Sequence, residues 1–128
     1  MEQMQQFIDA AWNFYTELLG FRTVGDYGFA KMLKVGPSSF LTLVEEGRGM
    51  HSSEEPKSVT LAVVTEEVEG WWDYLSGAGV EMRADLNPGH GRPHDGFVAR
   101  DPEGYLLEFE RFNDHPENRD LLPVLAAE

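Results

Sequence analysis

The chain has 128 residues, 41% of them hydrophobic, and its 10 basic and 23 acidic side chains give a formal net charge of −13. That length suits one ordinary globular domain with a core of its own, and so acidic a surface repels phosphate backbones, which excludes nucleic acid as a partner. No 18-residue apolar run and no basic lead into an apolar stretch occurs, and there is no cysteine, so the expectation is a cytoplasmic protein without membrane contact, disulfides or thiolate chemistry.

Residues 4–19 place Phe7, Ile8, Ala11, Trp12, Phe14, Tyr15, Leu18 and Leu19 at helical spacing, opposite Gln5, Gln6, Asp9, Asn13 and Glu17. Gly20 supplies a left-handed stop. Trp12, Phe14 and Tyr15 read as core between helix and sheet. Strand-like runs follow at 21–26, 29–35 and 38–45. The segment "EGRGMHSSEEPK" (46–57) is polar and turn-rich and links two halves, with His51 on its surface.

The second half opens with a strand at 58–65. A helix begins at Thr65, read as its N-cap, with Glu66 and Glu67 in the favourable first turn. It sets Val68, Trp72 and Leu75 on one face, leaves Trp71 off that face and half exposed, and ends near Gly77 or Gly79. Further strands lie at 80–85, 96–100 and 104–112. Between the first two runs "NPGHGRPHDG" (87–96), a loop holding His90 and His94. Pro88, Gly89, Gly91 and Pro93 forbid a helix there, so the two histidines do not form a helical metal pair. The loop reads as a solvated turn, or as a lid over a ligand. His115 lies in the polar tail, and Arg100 reads as a turn or dimer residue.

The halves repeat. "FYTELLGF" (14–21) and "WDYLSGAGV" (72–80) both end a helix on glycine and enter a strand. "GFAK" at Gly28 matches "GFVA" at Gly96, and "SSFLTLVEE" (38–46) lies over "GYLLEFERF" (104–112), which sets Thr42 opposite Glu108. Such a repeat implies a pseudo-twofold fold in which like positions face each other. Eight residues carry the chain from Gly20 to Gly28, but seventeen from Gly79 to Gly96, so the second copy has nine extra residues in the loop of His90 and His94. The second copy has the strand "SVTLAVVT" ahead of its helix; the first copy begins at the helix. An open sheet edge there calls for cover, by an earlier start of the chain, by strand exchange or by dimerisation.

This pattern resembles the vicinal oxygen chelate superfamily of glyoxalase I, bleomycin-resistance proteins and extradiol dioxygenases. The residues that carry the resemblance are "FYTELLGF", "VTLAVVTEEVEGWWDYLSGAGV" and above all "DPEGYLLEFERF", and it covers roughly residues 12–112. It implies an α+β fold of paired βαβββ modules forming a cupped mixed sheet, here with the first strand apparently missing. Module one spans about 1–46, a linker 47–57, module two about 58–112 and a tail 113–128 of a single domain. In the family's enzymes the first and last strands of each module supply four metal ligands. Glu108 matches one of these positions, Thr42 and Thr60 stand at two others, and the fourth belongs to the absent strand. Threonine hydroxyls are poor substitutes for imidazole or carboxylate.

Strand alternation turns Phe40, Thr42, Val44, Thr60, Ala62, Val64, Leu106, Glu108 and Glu110 toward the cup. A mostly apolar lining with a few polar handles suits a small molecule. The leading expectation is a metal-independent, homodimeric protein of the bleomycin-resistance type that sequesters an apolar or aromatic compound. Its ligand-binding residues are Phe40, Thr42, Thr60, Ala62, Leu106, Glu108, His90 and His94, and no cofactor is expected. The alternatives are a metal-dependent lyase, isomerase or dioxygenase with Glu108 as metal ligand, and a structural or regulatory interaction domain. No nucleophile elbow, phosphate loop, HExxH or GxGxxG occurs.

Overall fold

The computed structural model describes residues 9–50, 52 and 54–127. The helical start assigned to residues 4–8, with Gln5, Gln6, Phe7 and Ile8, and the surface position of His51 lie outside these. Two compact units divide the chain, Met1–Pro56 and Lys57–Glu128. Each has its own sheet.

In the first unit, helix α1 (residues 9–13) continues as a π turn, Phe14–Leu18. The Leu19 amide reaches back five residues to Phe14 O at 3.0 Å, and the amides of Gly20 and Phe21 close on Thr16 O and Tyr15 O. Gly20, at φ +82°, makes the expected left-handed stop. Strands β1 (Arg22–Asp26), β2 (Ala30–Gly36) and β3 (Ser39–Val44) form an antiparallel sheet in that order. Trp12 docks the helix on one face: its Nε1 donates to Thr23 Oγ1 at 2.9 Å, and Lys31 Nζ lies 4.4 Å from its ring centre. Tyr15 and Leu33 are buried there, while Phe40, Thr42 and Val44 stand exposed on the opposite face of β3.

The second unit contains β4 (Thr60–Val64), α2 (Val68–Gly77), β5 (Met82–Ala84), β6 (His94–Arg100) and β7 (Leu106–Phe112). The strand order is β4-β7-β6-β5, with β4 parallel to β7 and the other pairs antiparallel. A 3-10 turn, Pro116–Asn118, and α3, Leu122–Ala126, follow. Helix α2 begins at Val68 rather than at Thr65. The threonine instead accepts the Glu67 amide on Oγ1 at 3.1 Å, a turn just ahead of the helix. At the other end Val80 N donates to Leu75 O and Gly79 N to Ser76 O, with Gly79 at φ +80°. This paired closure uses glycine because the left-handed conformation costs a side chain.

Val68 and Leu75 of α2 are fully buried with Phe97, Leu107 and Phe109 of the sheet. The rings of Phe97 and Phe109 stack at 5.0 Å, and Trp72 meets Phe97 edge-on at 5.4 Å. Trp71 was expected off this face, yet its ring lies 5.4 Å from Phe109. An indole is wide enough to reach the sheet from the flank of the helix. Among the described residues no helix is long and apolar enough to cross a membrane.

Candidate functional site

Alternation along β7 puts Leu107 and Phe109 under α2 and turns Leu106, Glu108 and Glu110 to the open face of the second sheet. The neighbouring strands supply their surroundings in register. On β6, Arg100, Val98 and Gly96 lie opposite Leu106, Glu108 and Glu110; on β4, Thr60, Ala62 and Val64 lie beside the same three. The turn that starts β7 is held by Asp101, whose Oδ1 accepts the amides of Glu103 and Tyr105 at 2.9 and 2.8 Å.

His94 belongs to this face too. Expected in a loop, it is the first residue of β6, opposite Phe112. The reason lies in the tail. Pro93 O accepts the Asn113 amide at 2.9 Å and Asn118 Nδ2 at 2.6 Å, and the buried Asn118 also donates to Asn113 O. These bonds extend the β6–β7 ladder by two residues and bring the imidazole into line with the carboxylates. Donor atoms of His94, Glu108 and Glu110 all lie within 4.8 Å of one another. His90 does not join them. It stays in the loop at φ +69°, its Nε2 paired with Asn87 Oδ1 at 3.2 Å.

Glu110 is only 8% exposed. Burial, followed by the hydrogen bond to Glu108 and that neighbour's like charge, pushes its carboxyl up to about 7. Near neutral pH the pair therefore holds a proton for part of the time, and can donate as well as accept. Opposite Glu110, Gly96 leaves the cross-strand place empty; a Cβ there would meet Phe109 O at 2.7 Å and Glu110 Cβ at 3.3 Å.

Behind this face runs a second charged group. Arg111 donates to both oxygens of Glu69, at 2.7 and 2.8 Å, and to Asp95 Oδ2 at 3.0 Å. Burial works to raise the Asp95 carboxyl, but hydrogen bonds from Arg111 and Asn113 outweigh it and hold it below its ordinary value. Arg111 in turn is raised, first by Glu69 and then by Asp95. Asp95 flanks His94 directly, so this network fixes the backbone that carries the imidazole.

Of the sequence candidates, the second sheet thus brings together Thr60, Ala62, Leu106, Glu108 and His94. Phe40 and Thr42 lie on the open face of the first sheet, where Thr42 pairs with Met32. The donor set at the family's metal positions does not fit a metal: Thr42 and Thr60 offer neutral hydroxyls, and Glu108 alone offers a carboxylate. Alternation already set Glu110 on one face with Glu108; what was missed is that His94 joins them. The available signal was parity, because His94 is two residues ahead of Gly96 and so on the same strand face.

A family model described as the Glyoxalase/Bleomycin resistance protein/Dioxygenase superfamily matches residues 6–109. Among solved structures, a glyoxalase/bleomycin resistance protein/dioxygenase from Alicyclobacillus acidocaldarius is 22% identical at a TM-score of 0.61, with 83% of each chain covered. TioX from Micromonospora sp. ML1 is 19% identical at 0.68, with 83% of this chain and 90% of that one covered. A glyoxalase/bleomycin resistance protein/dioxygenase from Nocardioides is also 19% identical at 0.68, with 84% and 77% covered. At these identities the likeness is one of fold. No curated protein matches the chain significantly.

Proposed function

The chain belongs to the glyoxalase/bleomycin resistance protein/dioxygenase superfamily, and from that premise we propose that it binds and sequesters a small apolar or aromatic molecule without transforming it. The observation that carries this reading is the open face of the second sheet. There the exposed Thr60, Ala62 and Val64 and the half-buried Leu106 surround a single pair of carboxyls. Apolar area supplies affinity in such a site, and the few polar groups set orientation. A pair that holds one proton can meet either a donor or an acceptor on the ligand.

Calorimetry against a panel of aromatic compounds, in buffer containing a chelator, tests the proposal. Leu106→Ala is expected to weaken binding more than Thr60→Val, because losing buried apolar area outweighs losing one neutral hydrogen bond, worth about 1 kcal/mol. The reverse order, or no saturable binding across the panel, would sink it. A homodimer is part of the same proposal, supported by the wide apolar exposure of Phe40 (54%), Val44 and Val124. Sedimentation at low micromolar concentration that finds only a cooperatively folded monomer removes that part.

A second reading, a metal-dependent lyase, isomerase or dioxygenase, is favoured by the approach of His94 to the two carboxyls. Turnover of a candidate substrate that a chelator abolishes and added metal restores would promote it over sequestration.

A further inference from the structure

We propose that His94, Glu108 and Glu110 form a binding site for a divalent first-row transition-metal ion, contained wholly in the sheet of the second unit. The proposal goes beyond the sequestration reading, which needs no metal. It also differs from the arrangement that the family resemblance implies: Glu108 is the only position in common, and neither Thr42 nor Thr60 takes part.

Donor chemistry comes first. One imidazole and two carboxylates make a borderline set that suits manganese, iron, cobalt, nickel or zinc, whereas calcium and magnesium favour oxygen alone. Donors bonded at about 2.0–2.2 Å lie at most about 4.4 Å apart across an ion. The three donors, now within 4.8 Å of one another, need only a small side-chain rotation to close on one.

The second observation is independent of the cluster's composition. Glu110 is more than nine-tenths buried and aimed at its two companions, and no ion pair to it or to Glu108 occurs among the described residues. The arginines on the neighbouring positions are engaged elsewhere. Arg111 is held on the opposite face by Glu69 and Asp95, and Arg100 Nε lies 3.3 Å from Glu81. Two carboxyls this close repel each other when both are ionised; a dication at their centre offsets both charges and takes the place of the proton they otherwise share.

The scaffold is already in place. Pro93 and Asp95, on either side of His94, are each tied to the tail or to β7 through Asn113, Asn118 and Arg111. Gly96 keeps the ground between His94 and Glu110 free of side chain. Asn118 is a positioning residue in this scheme, acting on the imidazole through Pro93.

The test uses the full chain, stripped with a chelator and titrated with cobalt(II) alone, with visible absorption and calorimetry as readouts and zinc(II) in competition. One cobalt per chain with visible ligand-field bands is expected. His94→Gln and Glu110→Gln are expected to weaken it at least about tenfold, while Thr42→Val and Thr60→Val leave it unchanged. Near-ultraviolet circular dichroism of each variant separates lost binding from lost fold, and the isosteric Glu110→Gln keeps the test valid if the histidine variant unfolds. No saturable binding overturns the proposal, as does binding indifferent to both His94 and Glu110. Because ligand affinity is measured with chelator present, failure here leaves sequestration standing, and failure there leaves the metal site standing.

Discussion

In the first unit β3 sets Thr42 opposite Met32, with Phe40 and Val44 exposed on either side; in the second, β7 sets Glu108 between Val98 and Ala62, with Glu110 two residues on. The faces turned to the helices keep apolar residues at like positions of the last strand, Leu41 and Leu43 in the first unit and Leu107 and Phe109 in the second, although buried Lys31 stands where the second has Ala99. A duplicated backbone is held by the side of each sheet that packs a helix, so the other side is free to change its chemistry. Gly28 and Gly96 show the same divergence within one motif. Gly28 is at φ +80° with nothing near its absent Cβ, whereas Gly96 has Phe109 O in the way of one. The first is glycine for its backbone angle, the second for space.

Substitutions can break this contrast between faces. The largest effect is expected from Phe109→Ala on the helix side, a loss of about 3–5 kcal/mol in urea unfolding, from burial and cavity together. A loss below about 1 kcal/mol would show that this face does not hold the unit. Next comes Arg111→Met, which leaves the buried Asp95 without its guanidinium and should cost about 3 kcal/mol at pH 7. The Asp95 carboxyl is depressed in the native state, so its contribution exists above the ordinary carboxylate range and is lost as pH falls through the native value. Stability curves of wild type and variant should therefore converge in acid.

Gly96→Ala should cost about 1–3 kcal/mol by forcing β6 from β7. Gly28→Ala should cost about 1 kcal/mol, with Gly28→Asn cheaper still, because asparagine tolerates a left-handed angle. Asparagine rescue at both positions, or at neither, would erase the distinction between angle and space.

Glu110→Gln tests the open face and has the opposite sign. The native carboxyl is raised to about 7, so its stabilising contribution is complete below its ordinary range near 4.5 and is lost as pH rises through 7. The glutamine variant should be more stable than wild type at pH 8 and equal to it at pH 4, in thermal or urea unfolding. A variant less stable at pH 8 would mean that the carboxylate has a cation near it. The smallest effect, within about 0.5 kcal/mol, is expected for Thr42→Val.

The strands and the helix-side faces were legible in the sequence because two-residue alternation and helical spacing are local. Leu107 against Glu108 and Val68 with Leu75 are examples. What escaped was set by distant hydrogen bonds. Asn118 reaches Pro93 from 25 positions away and turns the last loop residues into strand, which moved His94 from a solvated turn to the sheet. Proline and glycine around it gave a correct local reading that a remote partner overrode. The π turn at Phe14–Leu18 escaped because it is the last turn before Gly20, with too few residues beyond it for its wider winding to show in the apolar spacing.

The position of β7 also sets an order of events during synthesis. It is the last strand made and lies between β4 and β6. The strands of the first unit are complete once Val44 has left the ribosome, but β4, ending at Val64, waits for a partner that begins at Leu106. Those 42 residues take roughly 2–8 s at about 5–20 residues/s. Throughout that interval "TLAVV" is a nascent strand with both edges bare, the kind of segment that pairs with a neighbouring chain. The charges of "EEPK" just before it and "EEVE" just after it repel such a neighbour, acting as gatekeepers while β7 is still being made.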